Sequence, residues 1–173
     1  MEIVILAVGK LKRDFQYLET GVNEYLKRLR PYANVSLVEI PDEAITAAMP
    51  AERVLSREGE RILAQWEKAA VRVALSERGE SLDSIAFARR LSEWGERAAR
   101  HADPSNGGTR PRGSGPMIMV IGGALGLSSS VLTAADWTVS LSPLTFPHPL
   151  ARLVVAEQLY RAFRILRNEP YHK

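Results

Sequence analysis

Met117-Ile118-Met119-Val120-Ile121-Gly122-Gly123-Ala124-Leu125-Gly126-Leu127 decides the fold. Five apolar residues without alternation predict a strand over 117–121 covered on both faces, because a strand with one wet face alternates polar and apolar positions. A glycine-rich turn follows at once, and Ser128–Ala134 reads as a short helix beyond it. A strand buried from both sides belongs at the centre of a parallel sheet clad by helices.

Working outward, strands are expected over Glu2–Val8, Val35–Ile40, Val71–Leu75 and Trp137–Leu141. Between them lie helical patterns. The first is capped by Asp14, carries Phe15, Leu18, Val22, Tyr25, Leu26 and Leu29 on one stripe, and stops before Pro31. Others run over Ala51–Glu67, Ser81–Arg100 and Pro149–Leu166. Alternating strands and helices predict an α/β domain, a mostly parallel sheet with helices on both faces. Residues 102–115, rich in Gly, Pro, Ser and Asn, read as an exposed loop insertion with almost nothing to bury.

The 173 residues, 46% hydrophobic and 25% charged, suit one domain spanning 1–173. The absence of cysteine excludes disulfide frameworks, thiolate metal sites and cysteine nucleophiles, and fits a reducing compartment. Cytoplasm is the expected location. The longest apolar stretch, 116–127, is about half the ~20 residues of a membrane helix, so no membrane partner is expected. His101, His148 and His172 lack metal-ligand spacing, and no metal is expected.

Between Pro116 and Leu150 the one formally charged residue is Asp136. An uncharged, Gly- and Pro-rich stretch at the carboxyl ends of parallel strands suits a pocket for a small organic molecule. The glycines meet neither nucleotide motif: Leu127 and Ser128 stand where a P-loop needs Lys and Ser/Thr, and the spacing is G-G-x-x-G. A plain tight turn is equally compatible. Ser140 to Leu150 holds three prolines, which stiffen the chain and leave main-chain groups without regular partners. Pro149 suits the first turn of the last helix and puts His148 at its N-terminal edge, a position that favours a neutral imidazole. No G-x-S-x-G elbow surrounds Ser142, so a hydrolase is not indicated.

The net charge is +3, and residues 151–173 alone hold that excess: Arg152, Arg161, Arg164, Arg167 and Lys173 against Glu157 and Glu169. The last helix is also apolar around much of its circumference, which points to a subunit interface beside the domain core. A basic edge with aromatics is a modest signal for RNA; a solvated helix face is the commoner explanation.

The ordered series Ile121 to Leu127, Ser140-Leu141-Ser142, Thr145-Phe146-Pro147-His148, Leu150-Ala151-Arg152, Glu157 to Ala162 and Pro170-Tyr171-His172-Lys173 resembles the ribosomal RNA large subunit methyltransferase H family. Val8-Gly9-Lys10, Glu24-Tyr25-Leu26, Gly59-Glu60 and Leu75 extend the likeness to nearly the whole chain. That family lies in the SPOUT group of S-adenosylmethionine-dependent methyltransferases. The resemblance implies a trefoil-knotted C-terminal region, with 116–173 forming the cofactor-binding knot and dimer surface of a homodimer. It implies methylation of N3 of a pseudouridine in 23S ribosomal RNA, on the assembled ribosome. By position, Leu75, Gly122, Leu141, Ser142, Pro143, Leu144, Thr145 and Phe146 would hold the methyl donor. His148, or the tail pair Tyr171 and His172, would take the N3 proton. Arg152 and Arg161 would fix RNA phosphate or the developing charge, with Arg164 and Lys173 as further RNA contacts. Two rivals stay open: an RNA-binding module of the same fold, and a small-molecule enzyme whose arginines only solvate a dimer edge.

Overall fold

A computed structural model describes residues 1–11, 13–101 and 115–171. Most of the 102–115 loop, together with His172 and Lys173, therefore lies outside the described residues.

Among the described residues ten strands and α-helices follow in order: β1 (Glu2–Val8), α1 (Gln16–Leu29), β2 (Asn34–Ile40), α2 (Ala51–Trp66), β3 (Val71–Ser81), α3 (Ser84–His101), β4 (Met117–Ile121), α4 (Ser129–Ala134), β5 (Trp137–Ser140) and α5 (His148–Leu166). The strands form one sheet in the order β2-β1-β4-β3-β5, every pair parallel. Parallel neighbours need crossovers, and α1 to α4 each supply one, while α5 follows the last strand. β4 is buried at all five positions, as its unbroken apolar run predicts.

Period two along the central strands sorts the core into two layers. Ile3, Ile5 and Ala7 of β1 join Met117 and Met119 of β4 under residues of α3 and α5. Leu6 and Val8 join Ile118 and Val120 under Ile62 and Trp66 of α2 and Val131 of α4. Helices thus cover both faces. α5 lies between α1 and α3, where Leu153 packs close against Gly21. Much of its apolar circumference is accordingly covered within the chain, so that feature by itself does not call for a second subunit.

Local signals explain most boundaries, and three expectations are corrected. Asp14 does not cap α1: it sits in a 3-10 turn over Arg13–Phe15, and Phe15 holds the cap position without a side-chain bond. α3 begins later than Ser81, where Asp83 Oδ1 accepts from the Ala86 N–H at 2.7 Å. β3 does not stop at Leu75. Leu75 and Glu80 both pair with Val139, so Ser76 to Gly79 leave the ladder and the strand then resumes.

Candidate active site

Parallel pairing brings all five carboxyl ends to one edge of the sheet, and two cavities lie side by side there. The larger, about 660 Å³, is bounded by the ends of β3, β4 and β5. Its walls are Leu75, Ile121, Leu141 and Phe146, with the Gly122–Gly126 turn, Ser142, Thr145 and His148 as polar edges. The smaller, about 450 Å³, lies over β1, β2 and the start of α2, and includes Gly9, Lys10, Asp42, Glu43 and Glu58. Gly123, Ala124, Leu125 and His148 belong to both.

The glycine turn is both a tight turn and a pocket wall. The Gly126 N–H donates to the Gly123 carbonyl at 3.1 Å, and Gly126 has φ +80°, a left-handed conformation that other residues adopt at a cost. The proline-rich loop is braced from within. Ser140 Oγ donates to the Ser142 carbonyl, and Ser142 Oγ accepts from the Leu144 N–H, both at 2.9 Å. Pro147 and Pro149 then start α5, whose first carbonyl acceptor is that of Pro147 to the Ala151 N–H at 3.0 Å. His148 is the first residue of α5, as expected, and stands at the border of the two cavities.

Of the residues expected to hold the donor, Leu75, Gly122, Leu141, Ser142, Leu144, Thr145 and Phe146 line the larger cavity. Pro143 does not; it is exposed at the bend that the Ser142 hydroxyl braces, and it shapes the loop. Ser76 and Glu77 are lining residues that sequence reading missed. They are there because the strand leaves its partner after Leu75 and is pinned where it returns. Glu80 pairs with Arg90 of α3 at 2.9 Å and accepts from Trp137 Nε1 at 3.1 Å. Gly79 lies so close to β5 that a Cβ would stand 2.5 Å from the Val139 carbonyl carbon. A glycine within a polar break of a strand was the available signal.

Arg152 corrects another expectation. It is fully buried, and its guanidinium pairs with Glu39 and donates to the carbonyls of Val8 and Gly9, at 3.2 and 2.6 Å. Glu39 Oε1 also accepts from the Leu11 N–H at 3.0 Å. Arg152 therefore ties the base of α5 to the end of β1 and is not presented to phosphate. One helical turn before it stands His148, so the same clamp anchors the start of the helix that carries that imidazole.

Arg161 and Arg164 meet at the other end of α5, with Tyr171. Arg161 donates to Glu157 at 2.6 Å and lies over the Tyr171 ring at 4.9 Å. Arg164 donates to the Tyr160 hydroxyl at 2.7 Å and pairs with Glu169. The Tyr171 hydroxyl donates to Glu157 at 3.2 Å. Burial, the hydrogen bond with Tyr25 and the charge of Glu157 push its pKa well above the ordinary phenol range. A phenol held in its neutral form is a poor proton acceptor, which leaves His148 as the candidate base among the described residues, with His172 outside them.

A parallel α/β sheet with a loop-built pocket at its carboxyl edge defines an α/β fold with a small-ligand site, and a family model described as predicted SPOUT methyltransferase matches residues 1–172. Curated proteins called ribosomal RNA large subunit methyltransferase H align over their full length and all of this chain: 43% identical in Carboxydothermus hydrogenoformans, 42% in an Exiguobacterium species and 38% in Halothermothrix orenii. The chain belongs to this family of SPOUT methyltransferases. Among solved structures, the SpoU methyltransferase AviRb from Streptomyces viridochromogenes, in complex with AdoMet, overlays 97% of this chain and 61% of its own at 15% identity and a TM-score of 0.42, too loosely to bear on the site.

Proposed function

We propose that this methyltransferase transfers the methyl group of S-adenosylmethionine to N3 of a pseudouridine in 23S ribosomal RNA, acting as a cytoplasmic homodimer on the assembled ribosome, with its C-terminal region threaded as a trefoil knot. The observation that carries the reading is the larger cavity, in a chain whose full-length relatives bear that methyltransferase's name. Its volume falls in the range of small-ligand sites. Apolar walls suit the adenine, and main-chain groups with the Ser142 and Thr145 hydroxyls suit the polar parts of the donor. Glu77, exposed at the rim, offers an acceptor for ribose hydroxyls.

S-adenosylmethionine, when bound, supplies a methyl group already activated on a sulfonium. What the protein's residues must do is hold the base in line and take a proton. His148 accepts the N3 proton, leaving the nitrogen lone pair for the new N–C bond. Arg152 acts through His148 and the β1 end rather than on RNA. Arg161 and Arg164, part-exposed although braced by Glu157 and Glu169, and Lys173 are the proposed RNA contacts, a small basic edge that suits a modest phosphate contact.

Ribosomes incubated with the enzyme and isotopically labelled donor, then digested for mass spectrometry of the RNA, test the reading. Label on a single pseudouridine of 23S RNA is the expected result. Donor binding by calorimetry without label in RNA would instead favour an RNA-binding module.

A further inference from the structure

The smaller cavity holds a carboxylate that the donor pocket does not use. Glu58 lies on the stripe of α2 that carries Val54 and Ile62, and is only 4% exposed. Its Oε1 accepts from the Glu43 N–H at 2.9 Å. Its Oε2 has no hydrogen-bond partner among the described residues. Buried polar atoms in native proteins almost always have a partner, so a lone one beside a cavity marks where a ligand donor fits. The wall facing Oε2 is Gly123, where a Cβ would stand 3.0 Å away, so the glycine leaves that side without a side chain. The last torsion of a glutamate is broad, and the carboxylate can turn toward a donor entering the cavity. Burial, reinforced by the charge of Asp42, holds Glu58 above the usual carboxylate range, a condition that a donated N–H relieves.

The occupant's chemistry follows from the lining. Asp42, Glu43 and Glu58 outnumber Lys10 in the lining and disfavour phosphate, and Glu43 is already paired with Arg57 and Arg61. A neutral ring bearing an N–H donor fits. Pseudouridine is joined to its ribose through C5, so it keeps a free N1–H that uridine, joined through N1, does not have. We infer that the smaller cavity receives the target base and that Glu58 accepts the pseudouridine N1–H, making Glu58 the residue that selects pseudouridine over uridine. The inference rests on the methyl transfer proposed above. N1 and N3 flank the same ring carbon, and Glu58 and His148 line the same cavity, so one base can offer N1–H to the carboxylate and N3 to the imidazole.

The test compares kcat/KM on ribosomes carrying either pseudouridine or uridine at the target, for wild type and Glu58→Gln. Wild type should prefer pseudouridine by at least ~10- to 100-fold, the usual range for one buried unpaired group. Glu58→Gln keeps an oxygen for the Glu43 N–H and turns an amide N–H toward the base, so the ratio should fall toward one, with donor affinity by calorimetry unchanged. An unchanged ratio in the variant overturns the assignment, as does a wild type indifferent to the base. Should Glu58→Gln not fold, wild type on N1-methylpseudouridine decides: a rate no higher than on uridine supports the inference, and a rate equal to that on pseudouridine overturns it. A wild type that methylates neither ribosome sinks the methyl-transfer reading itself, and this inference with it.

Discussion

The two ends of α5 are built on opposite principles. At its C-terminal end, Arg161, Arg164 and Arg167 are all spoken for: they pair with Glu157 and Glu169, bond the Tyr160 hydroxyl and the Pro31 carbonyl, and lie over tyrosine rings. Tyr25, Tyr32, Tyr160 and Tyr171 pack among them with ring centroids 5.0 to 6.0 Å apart. At its N-terminal end the helix opens onto two cavities edged by loop main chain, hydroxyls and carboxylates. Polar groups that satisfy one another hold a fold together, whereas polar groups turned to a cavity are available for chemistry. Arg152 links the two regimes, since it is a structural pair placed one turn below His148.

The largest effect should come from that link. Arg152→Ala strips the part-exposed Glu39 of its cation and leaves two buried main-chain carbonyls without their donor, and a buried unsatisfied group costs about 1–3 kcal/mol each. Chemical denaturation should show it, and a variant as stable as wild type would mean that the clamp is dispensable. Next, His148→Ala should lower methyl transfer at least about 100-fold, the low end for loss of a general base, while donor affinity by calorimetry stays within a few-fold. Near-wild-type turnover would move the base elsewhere and leave His148 as a packing residue.

How far these regions could be read in advance depends on how local their causes are. β4 and the glycine turn are legible because burial and turn geometry are written in consecutive residues, Met117 to Gly126. The position of His148 follows from its flanking prolines. Burial of Arg152 is not legible in the same way, since its partner Glu39 is 113 residues away and in a strand that only the folded sheet brings near. The departure of Ser76 to Gly79 from β3 is hidden for a related reason: the strand resumes only because Glu80 finds Arg90 and Trp137. Glu58 did leave a local trace, a carboxylate spaced four residues from both Val54 and Ile62 on an otherwise apolar stripe.

Gly79 offers an intermediate test of the N-terminal region, because it shapes a cavity wall without touching α5. Gly79→Ala drives a methyl group into the Val139 main chain, and overpacking of this kind typically costs about 1–3 kcal/mol. The displaced Ser76 and Glu77 should weaken donor binding as well. Calorimetry that finds wild-type affinity in a destabilised variant would show that this wall does not meet the donor.

The smallest effect is expected at the satisfied end. Tyr171→Phe removes a hydroxyl that donates to Glu157 and meets Tyr25, a change of about 1 kcal/mol in stability, and should alter methyl transfer only a few-fold. The pH dependence has a definite sign. Folding raises the Tyr171 pKa above its ordinary value near ten, so its contribution is fully present below that value and is lost as pH rises through and beyond it. The stability gap between wild type and Tyr171→Phe should accordingly narrow between pH 9 and about pH 11, as read from denaturant midpoints. A loss of activity on the scale of His148→Ala, without loss of stability, would break the contrast between the two ends. Tyr171 lines neither cavity of its own chain, so such a result would mean that the tail reaches the pocket of a second copy.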